Sequence, residues 1–366
     1  MTRANDFCIM NRVLFSLEYN KIDEECMTRK LKENRKVFLI FLLLAVLVAA
    51  FIVSLGLGRY PIRIKEILGI LGSKFFSVEP FWDSSAEDIL FRVRLPRIVL
   101  ACLVGASLAV AGASYQGIFQ NPMASPDILG TSAGASFGAA LAIMFFAQRG
   151  AIALGAFVSG MISVAFVFLV SRKTKGNRIL GLVLSGIMVS SLFTAGVSYL
   201  KLVADPADQL PSITYWLMGS LASTSLNDLK FALLPMLIGI VPLFLLRWQI
   251  NALTMGEEEA RTMGVNTKAV RVTVILCATL VTAASVSVSG VIGWVGLVIP
   301  HLCRRMVGNN YQYLLPASLV TGALFLLCVD NISRNALSTE IPIGILTAVI
   351  GAPFFMYLLT RKEEQY

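Results

Sequence analysis

GEEEARTMGVN, residues 256–266, is a polar island between two long apolar runs, 228–248 and 270–290. Glu257, Glu258 and Glu259 would fill a first helical turn, where carboxylates complement the positive end of the helix dipole. Ala260 and Met263 stand three apart, so they would share a face as a small apolar knob, with Arg261 among the charges around it. Gly256 opens the stretch, and Gly264 is placed to cap the helix C-terminus. About eight helical residues reach only ~12 Å, too short to persist unsupported. The island therefore asks for a dock in water, whereas the runs on either side ask for an apolar surround.

Composition extends that contrast to the whole chain. Of 366 residues, 56% are hydrophobic and 14% charged, against about 25% charged in soluble domains. Apolar spans fall at 37–57, 97–116, 128–147, 151–171, 179–200, 228–248, 270–290, 291–306, 314–330 and 341–360. Most are near the length that crosses ~30 Å of hydrocarbon as helix. Gly290 and Gly293 mark where 270–306 divides. The expected fold is all-α: a polytopic membrane protein of about ten transmembrane helices in residues 37–366, behind a polar segment, 1–36. That segment lacks a cleavable signal, since the apolar run after it is too long, and Met27 is an alternative start.

Ten spans put both termini on one side. The positive-inside rule makes that side cytoplasmic, because the pieces so placed hold 20 of the 31 Lys and Arg. Seven of the others crowd one outer loop, 58–97. The net charge of +9 reads as topology and lipid contact, not as a nucleic-acid surface. The six cysteines lack metal or disulfide spacing, and His301 is the only histidine, so no catalytic constellation emerges.

No charged residue falls in the middle of a span. Ion-coupled carriers usually keep an ionisable group there despite its cost, so a secondary transporter or channel is the weaker reading and energy must enter elsewhere. GASLAVAGAS (105–114) and GTSAGASFGAA (130–140) would let helices approach closely. Span 179–200 carries Ser190, Ser191 and Thr194, a neutral face that suits packing or the lining of a path.

Three further segments stand out. In FQNPMASPD (119–127), Pro122 and Pro126 forbid regular helix. It reads as a plain loop, or as a constriction with Asn121, Pro122 and Met123 at an inner mouth. FRVRLPR (91–97) places three arginines near the outer face, where Pro96 would open span two. They could anchor lipid phosphates by snorkelling, or take an acidic external partner through bidentate forks. Arg334 would lie on that face too. DNISRNALSTEIP (330–342) reads as a short polar helix before the final span.

Together RLPR (94–97), QNPMASPDILG (120–130), GEEEARTMGV (256–265), GWVGLVIPHLCRR (293–305) and the 330–355 segment resemble the FecCD-type permeases of ABC importers, which carry iron–siderophores, haem or cobalamin. The resemblance runs from about residue 37 to the end. It implies a bacterial or archaeal cytoplasmic membrane, with both termini inside, and a second permease chain, identical or related. It implies an extracytoplasmic substrate-binding protein docked on Arg94, Arg97 and Arg334, and a cytoplasmic gate at Asn121, Pro122 and Met123. It also implies two ATPase subunits gripping Gly256–Gly264. This chain would bind no cofactor, since it has no GxxxxGK[ST], and ATP and Mg would sit on the partner ATPase. An iron(III)–siderophore is the expected cargo, with haem or cobalamin as alternatives.

Overall fold

The computed structural model describes residues 32–58, 60–74, 80–146, 148–173 and 178–360. Most of the N-terminal segment, including Met27, lies outside the described residues, as does Arg59 of the outer loop. Among the described residues the chain is helical with no strand. In chain order the helices are α1 Lys32–Gly56, α2 Ile64–Ser73, α3 Ser84–Ile118, α4 Thr131–Phe145 and α5 Arg149–Ser171. Then come α6 Arg178–Val203, α7 Gln209–Leu217, α8 Leu226–Leu245, α9 Arg247–Met255 and α10 Glu257–Thr262. The chain closes with α11 Thr267–Ser289, α12 Val295–Val307, α13 Tyr311–Asn335 and α14 Ile343–Thr360.

Each of the ten expected spans is a helix. Seven among the described residues, α1, α3, α5, α6, α8, α11 and α13, are long and apolar enough to cross a membrane. The other three are shorter: α4 has 15 residues, α12 has 13 and α14 has 18. The division inside 270–306 falls where the glycine pair suggested. Gly290 (φ 67°) ends α11, and Trp294 (φ 70°) turns the chain into α12. The carbonyl of Ser289, next to that break, accepts from the amide of Ser220 at 2.8 Å, so the exposed backbone is covered by protein.

α3 is the axis of the bundle. Of its most apolar stretch 83% is buried, against 67% for α11, 61% for α13 and 6% for α1. It packs against α13, α11, α12 and α8. Small residues make those crossings tight. A Cβ on Gly105 would sit 2.2 Å from the Gly322 carbonyl oxygen of α13, and one on Gly112 would sit 1.8 Å from that of Gly296 in α12. Gly138 of α4 meets Gly155 of α5 in the same way, with 2.1 Å to its carbonyl oxygen. The two small-residue runs thus do what their composition suggested.

Two boundaries differ from expectation. Span two does not open at Pro96: the helix reaches back to Ser84, and FRVRLP lies inside it. Proline in a helix interior removes a bond and crowds the preceding turn. The chain absorbs this with a π-helical turn over Ile89–Arg94, where the Leu95 amide bonds to the Leu90 carbonyl. DNISRN is not a separate polar helix either. It forms the last turns of α13, and 336–342 is non-helical up to α14.

The bundle has two recognisable ends. Lys36 lies over the Tyr313 ring, 5.4 Å from its centroid, and the Tyr311 amide donates to Asn251 Oδ1 at 3.2 Å, which fixes one end beside α9 and α10. Ser54 donates to Asn331 at 2.7 Å at the other.

Candidate functional site

The polar island folds as α10, six residues long rather than eight. Gly264 (φ 81°) caps it as expected. Its amide bonds to the Arg261 carbonyl at 2.9 Å and the Val265 amide to the Ala260 carbonyl at 3.0 Å, the paired bonds of a Schellman cap. That cap brings Val265 and Ala260 together, and both are buried. The apolar knob is therefore corrected: Ala260 is fully covered by its own chain, whereas Met263 is half exposed. The outward surface is Glu258, Glu259, Arg261, Thr262, Met263 and Gly264.

Glu257 is half-buried and turned toward α11 instead. Its carboxylate accepts from Arg261 at 2.5 Å, from Arg271 of α11 at 3.2 Å and from the Thr267 hydroxyl at 3.4 Å. Partial burial works against its ionisation, but the Arg271 and Arg261 guanidiniums outweigh that and hold the carboxyl below the usual glutamate range. Arg271 and Thr267 are partners that the sequence reading missed. By sequence, Arg271 is one of the 20 Lys and Arg on the cytoplasmic side and nothing more.

The loop after α3 lies at the same end. Gln120 takes φ 50°, and its Nε2 donates to the Leu253 carbonyl of α9 at 2.6 Å. Asn121 closes an Asx turn, its Oδ1 accepting from the Met123 amide at 2.9 Å. Asn121, Pro122 and Met123 are exposed together. Pro126 then starts a 3₁₀ turn, Pro126–Leu129, and the Ser132 hydroxyl bonds to the Asp127 carboxylate. The structure thus joins two segments that sequence could only list separately: through Gln120, the 119–127 loop is tied to the helix that leads into α10.

At the far end the arginines are not presented to solvent, and the expectation of an exposed arginine dock is corrected. Arg94, Arg97 and Arg334 are each at most 7% exposed. Arg94 donates to the Leu55 carbonyl at 2.6 Å and to that of Tyr60, closing the C-terminus of α1, whose last carbonyls lack helical partners. Arg97 pairs with Asp330 at 2.9 Å and with Glu340 at 2.9 Å. Arg334 pairs with Asp330 at 3.1 Å and donates to Ser54 at 2.9 Å. Asp330 is fully buried. Acidic partners exist, but this chain supplies them. Among the described residues, the exposed cations on this side include Arg63, Lys65, Lys74, Arg92, Arg149 and Lys230; Lys74 pairs with Glu87 at 2.8 Å and Arg92 with Asp88 at 3.0 Å.

On α6, Ser191 and Thr194 are exposed, while Ser190 is half-buried against Gly130. Among the described residues, no group of three or more His, Cys, Asp or Glu is placed to hold a metal ion.

The FecCD transport family model matches residues 46–361. The chain is 42% identical over 326 residues to a molybdate import system permease protein of Haemophilus influenzae, covering 89% of this chain and 96% of that one. It is 42% identical over 280 residues to a probable iron chelatin transport system permease protein of Helicobacter pylori, covering 76% and 85%. A solved structure of a transporter assigned to the metal-chelate ABC type, in an inward-facing conformation, superposes with a TM-score of 0.78 at 41% identity, covering 88% of this chain and 98% of that one. With an apolar helical bundle of that shape and a match over most of its length, the chain belongs to the FecCD transport family, whose members are permeases of ABC importers.

Proposed function

We propose that this permease works with two ATPase subunits, an extracytoplasmic binding protein and a second permease chain to import an iron(III)–siderophore complex. The observation that carries the reading is α10, a capped helix at one end of the bundle that turns Glu258, Arg261 and Met263 outward. A capped six-residue helix on the surface of a membrane bundle suits a groove on a soluble partner. In the proposed assembly that end is cytoplasmic, ATP and Mg are bound by the partner, and Asn121–Met123 form the gate beside it. The far end receives the binding protein on its exposed cations, with Arg94, Arg97 and Arg334 holding that surface in shape from behind. The exposed face of α6, with Ser191 and Thr194, lines the path between two permease chains.

The iron chelate is favoured by the iron chelatin permease of Helicobacter pylori and by an Fe(3+)-citrate permease of Bacillus subtilis, 36% identical over 342 residues. A second reading, molybdate, is favoured by the relative from Haemophilus influenzae, which matches over 96% of its length. Vesicles containing the permease, its ATPase and its binding protein separate the two. ATP-dependent uptake of radio-iron as the siderophore complex, undiminished by excess molybdate, is the expected result. Uptake of molybdate alone would transfer the assignment to the oxyanion, and binding-protein-independent uptake collapsed by an uncoupler would overturn the ABC mechanism.

A further inference from the structure

α10 is joined to the chain on both sides through glycine. Gly256 has φ 138° and Gly264 has φ 81°, conformations that other residues rarely adopt. Six residues of helix between two such joints make a small rigid piece on soft backbone. Any force applied to its outer face must reach the bundle through side chains. Ala260 and Val265 are buried beneath it, but apolar contact is non-directional and permits sliding. Among the described residues, the side-chain hydrogen bonds that leave α10 all converge on one group, the Glu257 carboxylate. It takes the Thr267 hydroxyl from the first turn of α11 and the Arg271 guanidinium from the second.

Arg271 is built into the bundle. It is 8% exposed, and its Nε has no hydrogen-bond partner, so the Glu257 carboxylate is the acceptor that compensates its buried charge. One turn further on, Val274 and Ile275 are fully buried. Two turns on, the Thr279 hydroxyl is hydrogen-bonded to that of Tyr115 on α3, at 2.8 Å. A continuous physical path therefore runs from the surface helix through one carboxylate and one guanidinium to the axis of the bundle.

We infer that the Glu257–Arg271 ion pair is the link that makes α10 and α11 move as one body, so that Glu257 is a positioning residue for transmission and not a contact for the partner. The inference rests on the reading of α10 as the ATPase dock. Nitroxides at Met263 and Leu276, measured by pulsed dipolar spectroscopy on the full complex in nanodiscs, test it without knowledge of the cargo. In the otherwise wild-type complex, one narrow distance distribution should hold both without nucleotide and after trapping with ATP and vanadate. E257Q and R271Q should each broaden it and let its centre shift on trapping, and the double variant should be no broader than either alone. R271K, which keeps the charge and loses the fork, should broaden it partially and serves if R271Q does not accumulate. An E257Q distribution as narrow as wild type, with the Met263 label immobilised by the ATPase, would overturn the link and leave the dock intact. Broadening that adds in the double variant would overturn the pairing with Arg271. A Met263 label that the ATPase leaves unrestrained in the wild-type background takes down the dock and the link together.

Discussion

Asp330→Asn is the most informative single change at the far end. Asp330 is fully buried and serves two cations, Arg97 at 2.9 Å and Arg334 at 3.1 Å. The amide keeps the shape and removes the charge. Arg97 retains Glu340, also at 2.9 Å, so its loss is partial. Arg334 retains only neutral partners, Ser54 and Asn331, and stays beside another guanidinium. Removing one partner of a buried pair costs about 3–5 kcal/mol. With one of the two arginines still paired, the lower end, about 3 kcal/mol, is expected. Reversible unfolding in mixed detergent micelles would read it. Deleting both charges of the weaker pair, Asp330→Leu with Arg334→Leu, should recover most of that loss, because apolar replacement of a whole buried pair is often neutral. A D330N cost below about 1 kcal/mol, the range of solvated ion pairs, would refute the reasoning. It would mean that water fills the cluster and that Arg97 and Arg334 can turn outward. Arg97→Glu would then weaken binding-protein affinity at unchanged stability. On the present geometry it places a third carboxylate beside Asp330 and Glu340 and unfolds the far end first.

Three other outcomes follow from the geometry. Gly112→Ala puts a methyl 1.8 Å from the Gly296 carbonyl oxygen, backbone that cannot step aside, so α3 and α12 must separate. The cost should reach or exceed the ~1–3 kcal/mol of ordinary overpacking and show as a lower unfolding midpoint. Gly264→Ala meets no neighbour but must keep φ 81°, so about 1 kcal/mol is lost locally, and amide exchange at Val265 should quicken while the global midpoint holds. For pH, the Glu257 carboxyl is held below its ordinary 4.5 in the fold, so its link is complete above that value and is lost as pH falls through the lower, folded one. The Met263–Leu276 distance distribution should therefore broaden only below about pH 4.5, and E257Q should show no such step.

The bundle was legible because apolar length is a direct physical requirement of crossing lipid, and each of the ten runs became a helix. Helix ends were less legible. Nothing in FRVRLPR announces that a π-helical turn would carry the helix back through Pro96 to Ser84, since the compensation uses backbone that any sequence has. At the candidate site the polarity of 256–266 was enough to find α10, and Gly264 enough to find its cap. Ala260 was misplaced because the Schellman cap pairs it with Val265, a contact set by Gly264 and invisible to three-residue spacing. The arginines were misjudged for a related reason. Charge near a span end reads as surface charge, and only the packing of α3 against α13 shows that Asp330, 233 positions beyond Arg97, consumes it. Residues 94 and 97 differ again in their partners, a backbone end for one and a carboxylate for the other.

The exposed faces of α1 and α6 separate two kinds of surface that exposure alone does not distinguish. On α1 from Val37 onward the exposed large side chains are all hydrocarbon: Phe38, Phe41, Leu42, Val46, Val48 and Ile52 among them. That surface suits lipid tails and little else. On α6, Ile187, Met188 and Leu192 alternate with Ser191, Thr194 and Ser198. The hydroxyls of Ser191 and Ser198 donate back to the carbonyls of Ile187 at 2.9 Å and Thr194 at 3.0 Å. Their single donor is thereby spent within the helix. What remains for a passing solute between Ile187 and Tyr199 is an uncharged wall of weak acceptors, methyls and a thioether, with the Thr194 and Tyr199 hydroxyls as its donors. On the function proposed above, so few exposed donors on an otherwise neutral wall discriminate weakly between chelates, because strong selection needs buried polar groups that a wrong cargo would leave unpaired. Specificity must then be imposed before the cargo reaches α6, and exchanging the binding protein should change what this permease carries, whereas Thr194→Val, which removes a hydroxyl at constant shape, should leave the cargo preference where it was.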